Sequence, residues 1–180
     1  MDTLGVVEAK TIASGVKLAD EMLKISDVKL VRAATICSGR YLIFVSGKQA
    51  DVEMAVGHAR LAKRLTGDFV ISGVSPELVS VLKKRLPIKT DQAIGLVESS
   101  TVSAGIAAAD IAVKSADISL IRLVTGLGIC GKSYFLFSGE LAAVEEANDV
   151  AKEFLGSKYI ESIVLARPEP DLVKAIIGVR

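Results

Sequence analysis

The second half of this chain repeats the first. Leu4-Gly5-Val6-Val7-Glu8-Ala9 returns ninety residues later as Ile94-Gly95-Leu96-Val97-Glu98-Ser99, and residues 4–35 share twelve identities with residues 94–125. About two identities would be expected by chance at ordinary residue frequencies. The repeat is far longer than the roughly 20–50-residue unit of a solenoid. It therefore predicts two copies of one domain in tandem, residues 1–88 and 89–180.

The composition excludes several classes of protein. The 22 basic and 21 acidic residues leave a net charge of +1, so we expect neither nucleic acid nor an anionic membrane as a partner. The chain starts with no basic segment followed by a long apolar run, and no apolar stretch reaches the roughly 18–20 residues of a spanning helix. We therefore expect an intracellular, cytoplasmic protein in which the two cysteines are thiols.

Each half has the element order β-α-β-β-α-β-α. Apolar residues at helical spacing predict a second helix over Gln49–Leu65, and an apolar run predicts the next strand over Phe69–Val74. Pro76–Arg85 and Pro170–Gly178 are predicted as trailing helices, and residues 87–91 as the linker. The order predicts an α+β fold: two tandem, non-permuted ferredoxin-like domains, each an antiparallel sheet with helices on one face.

The two halves differ most in one loop. The offset between them changes from 90 to 92 residues, because Thr35-Ile36-Cys37-Ser38-Gly39-Arg40 corresponds to the longer Thr125-Gly126-Leu127-Gly128-Ile129-Cys130-Gly131-Lys132. This loop joins the second and third predicted strands. Loops that vary on a shared scaffold are where function is usually found.

The residues of these loops leave alternatives open. Cys37 is either a small buried residue or a metal ligand, and Cys130 is either a thiol that is packed or partly exposed, or a ligand. The run from Gly126 to Gly131 imitates a dinucleotide-binding motif but precedes a strand rather than a helix, so a flexible loop is favoured. His58 is expected at the surface, and no triad or carboxylate pair indicates hydrolysis.

The repeated motifs resemble one known family. The Gly-x-Val-Glu strand, the Ala-Asp-x-x-x-Lys helix, the Ser-Gly after the third strand and the late Arg-Pro are similar to those of bacterial microcompartment shell proteins of the tandem, trimeric class. The resemblance implies a structural protein rather than an enzyme. It implies a homotrimer that mimics a hexamer, joins other shell proteins in a facet of a microcompartment shell, and surrounds a central pore with Ile36, Cys37, Ser38, Gly39, Gly126, Leu127, Gly128, Ile129, Cys130 and Gly131.

The resemblance also assigns residues to the edge of the tile. Lys24 and Lys114, each the lysine of Ala-Asp-x-x-x-Lys, are expected there, together with Arg167. In the first half, Ser75-Pro76 is aligned with Arg167-Pro168 and supplies no arginine.

In propanediol-utilisation-like members of that class, a cysteine of the first pore loop binds an iron–sulfur cluster. Cys37 matches it, which implies one [4Fe–4S] cluster held by one Cys37 from each of three subunits, electron transfer or delivery of the cluster across the shell, and encapsulated redox enzymes as partners. Three thiolates leave one iron to a smaller ligand, and N–H groups near the sulfurs would raise the potential.

Two other hypotheses remain. One is a shell tile whose pore conducts metabolites without a cluster, with Arg40 and Lys132 favouring anions at its mouth. The other is a trimeric enzyme or small-ligand sensor on the same fold.

Overall fold

The computed structural model describes residues 3–83 and 92–177. The first domain consists of β1 (Thr3–Ala9), α1 (Ile12–Ile25), β2 (Lys29–Ile36), a short 3₁₀ turn (Cys37–Gly39), β3 (Arg40–Gly47), α2 (Gln49–Leu61), β4 (Leu65–Ser72) and α3 (Pro76–Lys83). The predicted linker and the predicted boundary between residues 88 and 89 lie outside the described residues.

The second domain repeats this order. It consists of β5 (Ala93–Ser99), α4 (Val102–Ser115), β6 (Ile118–Thr125), β7 (Ser133–Gly139), α5 (Leu141–Leu155), a 3₁₀ turn (Gly156–Lys158), β8 (Tyr159–Leu165) and α6 (Pro170–Ile177). The predicted element order is confirmed in both halves. Among the described helices, none is long and apolar enough to cross a membrane.

Each domain contains one four-stranded antiparallel sheet. The strand orders, β2-β3-β1-β4 and β6-β7-β5-β8, are the same in both domains. The registers match as well, because Leu4 lies opposite Ile71 in the first sheet and Ile94 opposite Leu165 in the second. The offset between the halves is thus 94 residues at β4 and β8, and Gly73, not Ser75, occupies the position of Arg167.

The second helix ends earlier than predicted. Helix α2 stops at Leu61, and β4 begins at Leu65, where the sequence pattern predicts one helix as far as residue 65. Lys63 has a φ of 51°, which an α-helix cannot accommodate. The Lys10 N–H then donates to the Arg64 carbonyl at 2.9 Å, so the chain is already leaving the helix for the sheet.

Helices cover both faces of the second sheet, which corrects the prediction of one face. Val97 belongs to the cluster that contains residues of α4 and α5, whereas Ile94 packs with Val173 of α6. Side chains alternate between the faces of a strand, so these neighbours point to opposite sides. Helix α6 therefore lies on the face away from α4 and α5.

The two domains share one core. A single cluster joins Val6 and Phe44 of the first sheet to Leu78 of α3 and to Ile106 and Ala108 of α4. Helix α3 reaches across to β6 and α4, and α4 packs on β4 and β1. The domains are therefore fixed to each other by buried apolar contacts rather than by the linker alone.

Candidate functional site

The β2–β3 loop is a tight turn. Ile36 is buried, Cys37 is partly buried, and Ser38 and Gly39 are exposed. Ser38 and Gly39 have φ angles of 68° and 67°, a left-handed conformation that favours glycine. The loop therefore holds the Cys37 thiol on a constrained backbone between two adjacent strands.

The longer β6–β7 loop uses the same turn after its insertion. Cys130 and Gly131, with φ angles of 54° and 77°, adopt the conformations of Ser38 and Gly39. Cys130 therefore occupies the position of Ser38 rather than that of Cys37. Cys130 is exposed, so the packed form of that thiol is not what the structure shows.

The structure brings these two loops together within one chain. The Cys37 N–H donates to the Gly126 carbonyl at 3.3 Å, and the Gly128 N–H donates to Cys37 Sγ at 3.1 Å. Ser38 Oγ donates to the Cys130 carbonyl at 3.0 Å. The insertion in the second loop thus wraps around the cysteine of the first.

Close backbone approach explains one glycine of the second loop. A Cβ on Gly131 would lie 3.1 Å from the Cys37 carbonyl oxygen, in addition to its left-handed φ. Leu127 and Gly128 face solvent, and Ile129 is partly buried. The loop is therefore rigid where it meets Cys37 and open at its tip.

Below the loops lies a buried acid that the sequence analysis did not single out. The Glu8 side chain is fully buried: Oε1 accepts from Arg40 Nη1 at 2.8 Å, and Oε2 accepts from the N–H and the hydroxyl of Ser103, each at 3.1 Å. Arg40 Nη1 also donates to the Gly131 carbonyl at 3.4 Å. The signal was available, because a glutamate at the same position of two otherwise apolar strands is unusual.

The two predicted edge lysines have different surroundings. Lys24 pairs with Asp20 at 2.6 Å, and both side chains are exposed. Lys114 pairs with the buried Asp110 and donates to the Ser72 carbonyl at 3.1 Å. Lys114 therefore lies at the junction between the domains.

Two other predicted positions are at the surface. Arg167 is exposed. His58 is partly exposed and lies 3.3 Å from Glu21, as expected for a surface residue.

Within residues 3–83 and 92–177, one chain does not assemble a metal site of its own. Among the described residues, no three cysteine, histidine or acidic side chains come together. Cys37 nevertheless suits a soft metal centre, because its sulfur accepts an N–H hydrogen bond of the kind that cluster thiolates accept.

Comparison with known proteins identifies the domains. The BMC domain family matches residues 3–76 and 93–168. The chain is 30% identical to the bacterial microcompartment shell protein PduT of Citrobacter freundii over 97% of both chains. It is 29% identical to the carboxysome assembly protein CcmO of a Synechococcus strain, over 96% of this chain and 68% of that protein.

A solved structure has the same architecture. The crystal structure of a microcompartments protein from Desulfitobacterium hafniense covers 97% of this chain, with a TM-score of 0.82 and 29% identity. The match spans 99% of that protein, so both domains and their arrangement are shared. With two matched domains, and with a relative aligned along nearly its whole length, this chain belongs to the family of bacterial microcompartment shell proteins as a member with two BMC domains in tandem.

Proposed function

We propose that the protein is a structural tile of a microcompartment shell, formed by three copies of the chain in a closed ring. We infer the ring from a difference in solvent exposure between equivalent residues of the two halves. Ile12 and Val16 of α1 are 43% and 52% exposed, whereas their counterparts Val102 and Ile106 in α4 are fully buried. The first domain covers this face of α4, whereas no residue in the described part of the chain covers the corresponding face of α1.

The residues of the contact between α3 and β6 show the same difference between the two halves. Leu78 of α3 is fully buried against the second domain, whereas Leu172, its counterpart in α6, is 45% exposed. Leu120 of β6, the strand that α3 contacts, is fully buried, whereas its counterpart Leu30 is 46% exposed. Each chain thus carries both halves of the contact that joins its own domains.

Such a head-to-tail surface gives either a ring or an open filament. A contact between copies that repeats the contact between domains would use the exposed apolar residues at both ends. We propose closure at three chains, in which the paired loops of each copy surround a central pore. In this role the protein acts structurally, as a component of the shell alongside other shell proteins, rather than as an enzyme.

We further propose that the pore holds a [4Fe–4S] cluster through Cys37 of each subunit. The support is the hydrogen bond from the Gly128 N–H to Cys37 Sγ, which is of the kind that cluster thiolates accept. When bound, the cluster would supply one-electron transfer. Cys37 would bind iron, and the Gly128 N–H would stabilise the thiolate and hold its side chain in one orientation.

Native mass spectrometry and metal analysis test the two parts separately. The ring predicts a three-chain species. The cluster predicts iron and acid-labile sulfide in anaerobically reconstituted protein, lost in Cys37→Ser and retained in Cys130→Ser. If the wild-type trimer takes up no iron, the cluster is wrong and the tile stands; if the chain stays monomeric, the tile is wrong.

The second candidate is a pore that conducts metabolites and holds no cluster. It is favoured by the exposed Lys132 and by Gly128, which has open space where a side chain would be. Arg40, the other predicted cation of the mouth, is bound to the buried Glu8 and does not present a free charge. An iron-free trimer whose pore admits small anions would support this candidate.

A further inference from the structure

We propose that the second domain binds the first turn of α1 from a second copy of the chain, with Glu98 and Glu161 placed around the N-terminus of that helix. The proposal rests on the ring described above and specifies one of its contacts. The partner is a second copy of this chain, because the template for the contact lies inside each chain, where the first domain binds the first turn of α4.

The template is a close contact between a strand pair and a helix N-terminus. Glu8 of β1 accepts from the N–H and hydroxyl of Ser103, the second residue of α4. Gly67 of β4 lies directly opposite Glu8 in the sheet. A Cβ on Gly67 would lie 2.4 Å from Ser103 Oγ, so the template has no room for a side chain at position 67.

The corresponding residues at the free ends of the chain differ in a complementary way. Glu98 corresponds to Glu8 and lies opposite Glu161, which corresponds to Gly67. Ala13 corresponds to Ser103 and is exposed. A glutamate replaces the glycine on one side and an alanine replaces the serine on the other, so the smaller helix residue leaves space for the larger strand residue.

Charge supports the same pairing. Glu98 and Glu161 are like charges directly opposite each other in an antiparallel sheet, an arrangement that destabilises an isolated sheet. A helix N-terminus offers unpaired N–H groups and the positive end of the helix dipole, and Lys10 lies exposed just before α1. Docking of α1 would therefore relieve the repulsion.

The first turn of α1 also has the required donor. Thr11 Oγ1 accepts from the Ser14 N–H at 3.3 Å and so leaves the Ala13 N–H for another acceptor. In residues 3–83 and 92–177, no hydrogen bond reaches the Glu98 carboxylate, which borders an open cavity of about 450 Å³ beside Lys132 and Ile176. We assign the Ala13 N–H to Glu98 of the neighbouring copy, as the Ser103 N–H is bound to Glu8.

A disulfide tests this contact directly. A Cβ on Gly67 would lie 3.6 Å from Ser103 Cβ, within the range of about 3.5–4.5 Å found in disulfides. Cysteines at the equivalent positions, Ala13→Cys and Glu161→Cys, are introduced with Cys37→Ser and Cys130→Ser. On oxidation we expect most of the protein to run as a covalent three-chain species on a non-reducing gel and to return to one chain on reduction.

Matched variants control for adventitious cross-linking. The pair Gly67→Cys and Ser103→Cys should cross-link within one chain and leave it monomeric on the gel. A mixture of the two single variants, Ala13→Cys and Glu161→Cys, should yield two-chain products and nothing larger. The single variant Glu98→Lys, which carries no introduced cysteine, should raise the dissociation constant of the trimer at least about tenfold. Glu145→Lys, on the exposed face of α5, should leave that constant unchanged.

The outcomes separate this contact from the ring itself. A trimer on native mass spectrometry without the cross-link, and with Glu98→Lys as stable a trimer as wild type, would overturn the contact and leave the ring intact. A chain that remains monomeric would overturn the ring as well.

Discussion

Ser75 binds one oxygen of Asp110 twice, through its N–H and its hydroxyl, each at 2.8 Å. The Ser75 hydroxyl also accepts from the Leu78 N–H at 3.3 Å and so caps α3. Asp110 belongs to α4 of the second domain, and its other oxygen pairs with Lys114. One buried carboxylate therefore fixes the start of α3 to the other domain.

Removal of this carboxylate should destabilise the whole chain. Asp110→Ala leaves the Ser75 N–H buried without its acceptor, and we expect it to lower the free energy of unfolding by about 2–4 kcal/mol. Asp149→Ala, at an exposed position of α5, should change it by no more than about 0.5 kcal/mol. Urea unfolding followed by circular dichroism measures both, and equal effects of the two variants would contradict the assignment.

Two helical glycines should respond to alanine in opposite directions. A Cβ on Gly15 of α1 would lie 2.4 Å from Tyr41 Cβ, whereas a Cβ on Gly57 of α2 would meet no atom within 4 Å. We expect Gly15→Ala to destabilise the protein by about 1–3 kcal/mol through overpacking. Gly57→Ala should stabilise it by about 0.5–1 kcal/mol, because alanine favours the helix. Thermal unfolding should show the opposite signs, and a stabilising Gly15→Ala would show that α1 can move away from β3.

A glycine at position 130 should relieve backbone strain in the β6–β7 loop. Cys130 has a φ of 54°, which glycine adopts without a penalty. We expect Cys130→Gly to raise the free energy of unfolding by about 0.5–1 kcal/mol. Ser38→Gly relieves a similar φ but loses the hydrogen bond from Ser38 Oγ to the Cys130 carbonyl, so its gain should be smaller. A loss of stability in Cys130→Gly would show that the thiol makes contacts that outweigh the strain.

The fold was predictable because both halves of the sequence carry the same pattern of strands and helices. Strand and helix patterns that are weak in one half recur in the same order in the other, and the sheets confirm them. The end of α2 was not predictable, because Leu65 continues the apolar spacing of the helix although its side chain belongs to β4. The chain turns from helix α2 into β4 at Lys63, which has a left-handed backbone conformation. Lysine has no preference for that conformation, so the residue type gives no sign of the turn.

The candidate site was predictable only in part. The change of two residues in the offset identified both loops, but the contact between them around Cys37 within one chain was not predicted. Contacts between the domains were missed, because Glu8 and Ser103 lie 95 positions apart and no spacing rule connects them. The alignment of Ser75 with Arg167 was wrong because two further residues enter the second half before β8, so the offset there is 94 rather than 92 residues.

The bond between Glu8 and α4 also orders events during synthesis. Residues 3–83 are synthesised before Ser103, and until the second half has folded the Glu8 carboxylate lacks the Ser103 N–H and hydroxyl and keeps only Arg40 among its described partners. The first sheet therefore completes its buried face only when the second half arrives, and the two halves reach their final stability together.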